Sequence, residues 1–282
     1  MDKSDCTDED FQTGAFGRLM RFWRNVFGYS QVQLAHRLKT STRHISFLET
    51  GRSNPSRAMI SRLAQELGLS EREKNVLMVA AGFIPDSPEI DLSDFGWLRS
   101  HLSLLMAKQD PYPALVVDRC GDIKMCNRAL LLLIEACLSG NSLSEQANLF
   151  HLYFSDEGLR QRIQSWEKLS CILLLKVQEQ QLLSGDERLG ELVEWLQAYP
   201  GVPADWALRA QGIEHTSSYE IRLQLNQMIS HSLAVITNVE PLPNFSAPQF
   251  FIHSYFPKDK ATQMLWQSFY DDRKIQHPLL YY

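Results

Sequence analysis

Residues 30–56, SQVQLAHRLKTSTRHISFLETGRSNPS, constrain the fold more than any other stretch of this chain. Ser30 followed three residues later by Gln33 is a capping box, which predicts a helix start and puts Leu34, Ala35 and Leu38 on one face. A short break at Lys39 and Thr40 leads to Ser41, a second N-cap. The helix that follows turns Ile45 and Leu48 toward the same side, so the two helices share a core. At about 100° per residue, Arg43, Ser46 and Phe47 point away from that core, with Thr42 on the flank. Two short helices with a common core and an outward face on the second are the requirements of a helix-turn-helix. Its second helix is shaped to enter a DNA major groove.

Regional charge supports this reading better than the whole-chain net of -5. Thr13 to Ile84 holds eleven Lys/Arg against four acids, a net of +7, and the first twelve residues net -4, which leaves -8 for the rest. A basic module joined to an acidic one fits a DNA reader with a separate sensing or assembly domain. The chain of 282 residues, 44% of them hydrophobic, is long enough for two domains. The opening MDKSDCTDEDFQ lacks an apolar export segment, and the longest uncharged stretches, such as Leu223 to Val239, include Gln224, Asn226, Gln227, Ser230 and His231. Neither a signal peptide nor a membrane span is expected. Five cysteines without CxxC spacing suit a reducing cytoplasm.

The expected organisation is an acidic tail at 1–13, a five-helix domain at 14–84, a linker at 85–94 rich in proline and acids, a second domain at 95–256, and a helix and tail at 257–282. Ser56 to Leu67 and Ser70 to Ala81 complete the first domain, the latter opened by the capping box of Ser70 and Glu73. In the second domain, Phe95 to Lys108 reads as a helix. Ala114 to Asp118 and Ile123 to Cys126 read as a hairpin turning at Gly121 and Asp122, and Asn127 caps a helix to Cys137. Helical patterns follow at Glu157 to Leu183, with a break near Ser165 to Leu169, at Asp186 to Ala198 and at Ala204 to Gln211. Strand patterns close the domain at Tyr219 to Leu225, His231 to Val239 and Gln249 to Phe256. The predicted class is α+β, an all-α unit followed by a PAS-like unit with a five-stranded antiparallel sheet.

The first domain resembles the DNA-binding domain of the Xre/phage-repressor family. Ser30-Gln31, Leu34-Ala35, Ile45-Ser46, Leu48-Glu49, Gly51-Arg52 and Asn54-Pro55-Ser56 fall where that family has its pattern. The resemblance implies DNA contacts from Gln31, Ser41, Thr42, Arg43, His44, Ser46, Phe47, Arg52 and Asn54. Gln31 and Arg52 would meet phosphates, Arg43 a guanine edge and Phe47 a thymine methyl. The order PALVVD, MCNRAL, LFHLYF, a Trp166 helix, DERLGELVEWL and ADW resembles the ligand-binding domain of the MmyB-like transcription regulators. That implies a lipophilic small-molecule effector, a fatty acid. The aromatic and aliphatic set Phe150, Tyr153, Phe154, Trp166, Leu173, Leu174, Trp195, Leu196 and Trp206 is the expected pocket, although such a stripe at helical spacing is more often core. The match weakens after Gly212.

No GxSxG, HExxH, P-loop or GxGxxG motif is present, so neither catalysis, a metal nor a cofactor is expected. The partners expected are double-stranded operator DNA, read by a homodimer, and the effector. A single recognition helix reads too few base pairs for useful specificity. The rival reading is an antitoxin-like scaffold whose second domain binds a protein.

Overall fold

The structure, a computed structural model, describes residues 14–83, 96–138, 143–211, 218–225, 227–239, 250–270 and 275–282. The expected acidic tail, linker and the loop before the last strand lie outside them. The described residues form two compact units, 14–83 and 96–282.

Five helices build the first unit: α1 (Ala15–Val26), α2 (Gln31–Arg37), α3 (Thr42–Glu49), α4 (Arg57–Leu67) and α5 (Glu71–Ala80). Four of them start on serine caps. The Ser30 hydroxyl accepts from the Gln33 amide while the Gln33 side chain accepts from Ser30 N at 2.8 Å, and Ser41 accepts from His44 N at 3.1 Å. Ser56 and Ser70 cap α4 and α5 in the same way. Each cap satisfies amides that no helix can bond internally. Between α2 and α3 the chain turns through Lys39 at φ 50°, a left-handed conformation that is costly for a residue with a Cβ. The Thr40 amide stabilises that turn by donating to Ala35 O at 2.9 Å. Met20, Leu34, Leu38, Ile45, Leu48, Ile60, Leu63 and Leu77 form the core. Helix α1 crosses the end of α3 at Gly17, where a Cβ would stand 2.5 Å from Glu49 O, so only glycine permits this approach.

The second unit contains α6 (Gly96–Gln109), β1 (Ala114–Asp118), β2 (Ile123–Cys126), α7 (Arg128–Cys137), α8 (Leu149–Phe154), α9 (Trp166–Ser184), α10 (Glu187–Gln197), α11 (Trp206–Gln211), β3 (Ser218–Leu225), β4 (Met228–Val239), β5 (Phe250–Pro257) and α12 (Lys260–Phe269). The five strands form one sheet in the order β2-β1-β5-β4-β3, each neighbour antiparallel. The last strand of the chain is therefore central, pairing on one side with β4 and on the other with β1, more than 130 residues earlier in sequence. Helix α6 covers one face through Leu98, Leu102 and Met106, against Val116, Met125, Phe250 and Ile252. The remaining helices supply the core on the other face, where β3 contributes Tyr219, Ile221, Leu223 and Leu225 by strict alternation.

The α+β class, the helix-turn-helix unit and the five-stranded antiparallel sheet agree with the sequence. Three local expectations need correction. LFHLYF forms α8, a helix the periodicity did not predict. Residues 157–165 are not the start of the long helix: Arg160–Arg162 is a single 3-10 turn, and α9 begins only at Trp166. The cause is tertiary, since Gln164 N donates to Arg222 O at 2.9 Å and Ile163 bridges Leu223, drawing this segment onto the edge of β3. Strand β4 begins at Met228, three residues earlier than expected, because its pairing with β3 runs from Ser218 opposite Val235 to Leu225 opposite Met228. No helix among the described residues is long and apolar enough to cross a membrane.

Candidate DNA-reading face and effector cavity

Helix α3 buries Ile45, Leu48 and Glu49 and leaves Ser41, Thr42 and Arg43 exposed, with His44, Ser46 and Phe47 half-exposed. The Arg43 guanidinium carbon lies 5.1 Å from the Phe47 ring centroid, a cation–π contact that holds both side chains along the outward face. Arg52 and Asn54 are exposed in the loop after α3, which is drawn against the helix end by the Arg52 and Ser53 amides donating to Phe47 O at 2.9 and 3.2 Å. Eight of the nine candidate positions therefore lie on α3 with its cap or in the loop beyond.

Gln31 differs from the rest. It opens α2, and its Nε2 donates to Glu49 Oε2 at 2.8 Å, so one of its two amide protons is committed inside the unit. Glu49 is fully buried and is also gripped by Arg24, through Nε at 2.6 Å and Nη2 at 3.2 Å, with Arg21 Nε at 3.6 Å. Arg24 in turn donates to Tyr29 O at 2.7 Å. This network clamps α1, the α1–α2 loop and α2 onto the end of α3. A buried carboxylate needs such partners to offset its lost hydration. From sequence Glu49 is legible only as a position of the family pattern, with no assigned partner, because Arg24 lies 25 residues earlier in the chain.

Arg43→Ala is expected to weaken specific operator binding by about 1 to 3 kcal/mol at one base pair. The thermal melt should not change, because the side chain is exposed. Operator titration run beside a melt checks both, and unchanged affinity removes Arg43 from the reading face.

In the second unit a small apolar space of about 20 Å³ lies between the sheet, α7, α8 and α12. Its walls are Pro113, Leu115, Leu130, Leu133, Leu149, Leu152, Leu159, Ile221, Leu223 and Trp266, with Tyr153, Tyr255 and Ser232 as the polar members. That volume holds about one water-sized group. The hydroxyls of Tyr153, Tyr219 and Tyr255 converge beside it and hydrogen-bond one another through Tyr153. Trp266 Nε1 donates to Ser232 Oγ at 3.3 Å.

Of the nine pocket candidates, Tyr153 is the one that lines this space. Phe154 stacks edge-on against Trp166 at 5.4 Å and Tyr199 at 5.9 Å and lies 6.2 Å from Trp195, forming an aromatic cluster behind α8. Phe150 abuts Gly121, whose φ of +85° and missing Cβ leave room for the ring. Leu173, Leu174 and Leu196 are core residues, and Trp166, Trp195 and Trp206 pack at its margin. The cavity walls that sequence reading missed come from β1, β3, β4, β5, α7, α8 and α12, with Leu159 after α8. Alternation marked Ile221 and Leu223 as inward-facing but could not show which inward side chains border a gap.

Other polar groups in the unit are structural. Asn127, fully buried, accepts at Oδ1 from Leu130 N and Ala114 N and donates Nδ2 to Tyr112 O, which confirms it as the cap of α7 and ties that helix to β1. The four described cysteines are free. Burial pushes the Cys126 thiol up to about 12 and raises Cys120, so neither is an activated thiol.

His253 on β5 is buried, and burial, helped by the positive charge of Lys176, lowers its pKa to about 4. The unfolded chain takes up a proton near pH 6.5 and the folded chain does so only near 4, so stability falls as pH drops through that window. The expected loss is about 3 kcal/mol between pH 6.5 and 4. Denaturant titrations of the wild type and of His253→Phe across this range test it, because the variant should show a flatter slope.

An exposed recognition helix on a basic five-helix unit, joined to an α+β unit with an apolar interior, defines a DNA-binding transcription regulator with a ligand-binding domain. A helix-turn-helix family model matches residues 20–74, and the model described as MmyB-like transcription regulator ligand binding domain matches residues 98–267. The second match spans more than half of the chain, which belongs to the MmyB-like transcription regulators. No curated protein sequence matches the chain. Among solved structures it is similar to one described as an RNA-binding light-oxygen-voltage receptor, at 9% identity and a TM-score of 0.28, covering 95% of this chain and 68% of that one.

Proposed function

We propose that this regulator reads operator DNA as a homodimer in the cytoplasm and that its second unit senses a lipophilic small molecule, a fatty acid. The observation that carries the DNA half is the exposed Thr42–Arg43–Phe47 face of α3 on a unit of strongly basic sequence. The apolar cavity beneath the sheet supports the effector half. An alkyl chain needs far more than 20 Å³. Its entry must therefore part the walls, and Trp266 with the rest of α12 is a wall supplied by a single short helix. A rearrangement of that kind is what lets an effector act, because a ligand shifts an equilibrium only by binding two states unequally. Couplings of roughly 1 to 3 kcal/mol are usual.

The small cavity also favours a second reading, in which the second unit is a packed scaffold for a protein partner. One experiment separates the two. An operator is selected from random duplexes with the purified full chain, the protein is extracted with organic solvent for mass spectrometry, and the operator titration is repeated with and without added tetradecanoate. A recovered lipid, and an operator affinity that tetradecanoate changes severalfold, support the sensor. An empty protein whose DNA affinity ignores the acid supports the scaffold. Sedimentation of the free chain and of the operator complex tests the dimer.

A further inference from the structure

We propose that Arg43 and Phe47 of α3 act as one reading unit for a guanine flanked by a 5-methylpyrimidine, so that the operator carries thymine at the base pair next to that guanine and 5-methylcytosine can stand in for it. The inference rests on the DNA-reading face described above and adds the base step that this face selects.

The two residues lie four apart on α3, the spacing at which side chains on one helix face meet. Arg43 is exposed and Phe47 half-exposed, and the guanidinium carbon stands 5.1 Å from the ring centroid. This ring contact is the interaction that the Arg43 side chain makes among the described residues. Elsewhere in the unit Arg21 and Arg24 pair with Glu49, and Arg37 pairs with Glu66. An aromatic contact takes up none of the five guanidinium N–H donors, so Arg43 is held in place with its hydrogen-bonding capacity intact.

In a major groove those donors match O6 and N7 of guanine, the commonest base-specific contact. A phenyl ring can accept no such bond, and the feature that an apolar side chain reads there is the C5-methyl of thymine. Because ring and guanidinium touch, the two bases they meet must be neighbours. Successive base pairs rise about 3.4 Å, so edges two steps apart are separated by roughly 6.8 Å along the axis. The two side-chain groups are only 5.1 Å apart. The contact also couples the two readings, since an arginine already held by the ring has less side-chain freedom to lose when it meets guanine. 5-Methylcytosine presents its methyl at the same ring position as thymine, whereas cytosine and uracil present none.

The test begins with an operator selected from random duplexes by the full chain. The guanine met by Arg43 is the one whose replacement by adenine costs affinity in the wild type and nothing in Arg43→Ala. Deoxyuridine in place of the neighbouring thymine removes the methyl alone and should weaken binding about fourfold, the worth of one buried methyl group. A C·G pair at that position should also bind more weakly, and methylating its cytosine at C5 should recover about fourfold. Phe47→Leu should cut the preference for guanine over adenine by about twofold to tenfold, the cost of ordering one long side chain. If that variant fails to fold, the deoxyuridine and 5-methylcytosine duplexes decide with the wild-type chain alone. A guanine without a neighbouring thymine, a deoxyuridine substitution without effect, or a folded Phe47→Leu with unchanged guanine preference overturns the coupled unit and leaves DNA reading intact. Failure to select any duplex overturns both.

Discussion

Glu49→Ala is expected to destabilise the first unit by about 3 to 5 kcal/mol, the usual cost of removing one partner from a buried ion pair. Arg24 would stay largely buried without its carboxylate, and Gln31 would lose its acceptor. For a unit of this size each kilocalorie corresponds to roughly 4 to 8 °C in melting temperature. The first transition of a thermal melt should thus fall by well over 10 °C, and operator binding should disappear at temperatures where the wild type is intact. Glu49→Gln, which keeps an acceptor for Arg24 at similar volume, should recover part of the loss. A drop below about 1 kcal/mol in denaturant titration would contradict the clamp described here.

Phe154→Ala should cost the second unit about 3 to 5 kcal/mol, since the ring is fully buried and its removal leaves a void among Trp166, Trp195 and Tyr199. The edge-to-face contacts add about 0.5 to 1.5 kcal/mol per pair to what burial alone provides. The same variant separates packing from ligand contact at this residue. A large loss of stability in the ligand-free protein assigns Phe154 to the core. A small loss coupled to weaker tetradecanoate binding assigns it to the effector site.

What could be read from sequence was local. Ser30 with Gln33, Ser41, Ser56 and Ser70 with Glu73 each determine a helix start within four residues, because a capping hydroxyl and its amide are near neighbours in the chain. Asn127 was legible as a cap for the same reason. The outward position of Arg43 follows from helical geometry once Ile45 and Leu48 are assigned to the core. The alternation in β3 placed Tyr219, Ile221, Leu223 and Leu225 on one face before any partner strand was known.

The tertiary structure decided whatever depends on groups distant in sequence. Glu49 meets Arg21 and Arg24 only because α1 packs against the end of α3. The long helical pattern from Glu157 gives way to a 3-10 turn because β3 supplies a hydrogen-bond partner some 58 residues away, Arg222 for Gln164. Residue type made the aromatic stripe of α8, α9 and α10 look like a pocket. In the fold most of those rings fill space against one another, and the gap opens instead between the sheet, α7, α12 and the side of α8 that carries Leu149, Leu152 and Tyr153. Periodicity reports which side of an element faces inward, since that is set by the geometry of a single helix or strand. Where the interior is left unfilled depends on how several elements meet, and no single segment of this chain carries that information.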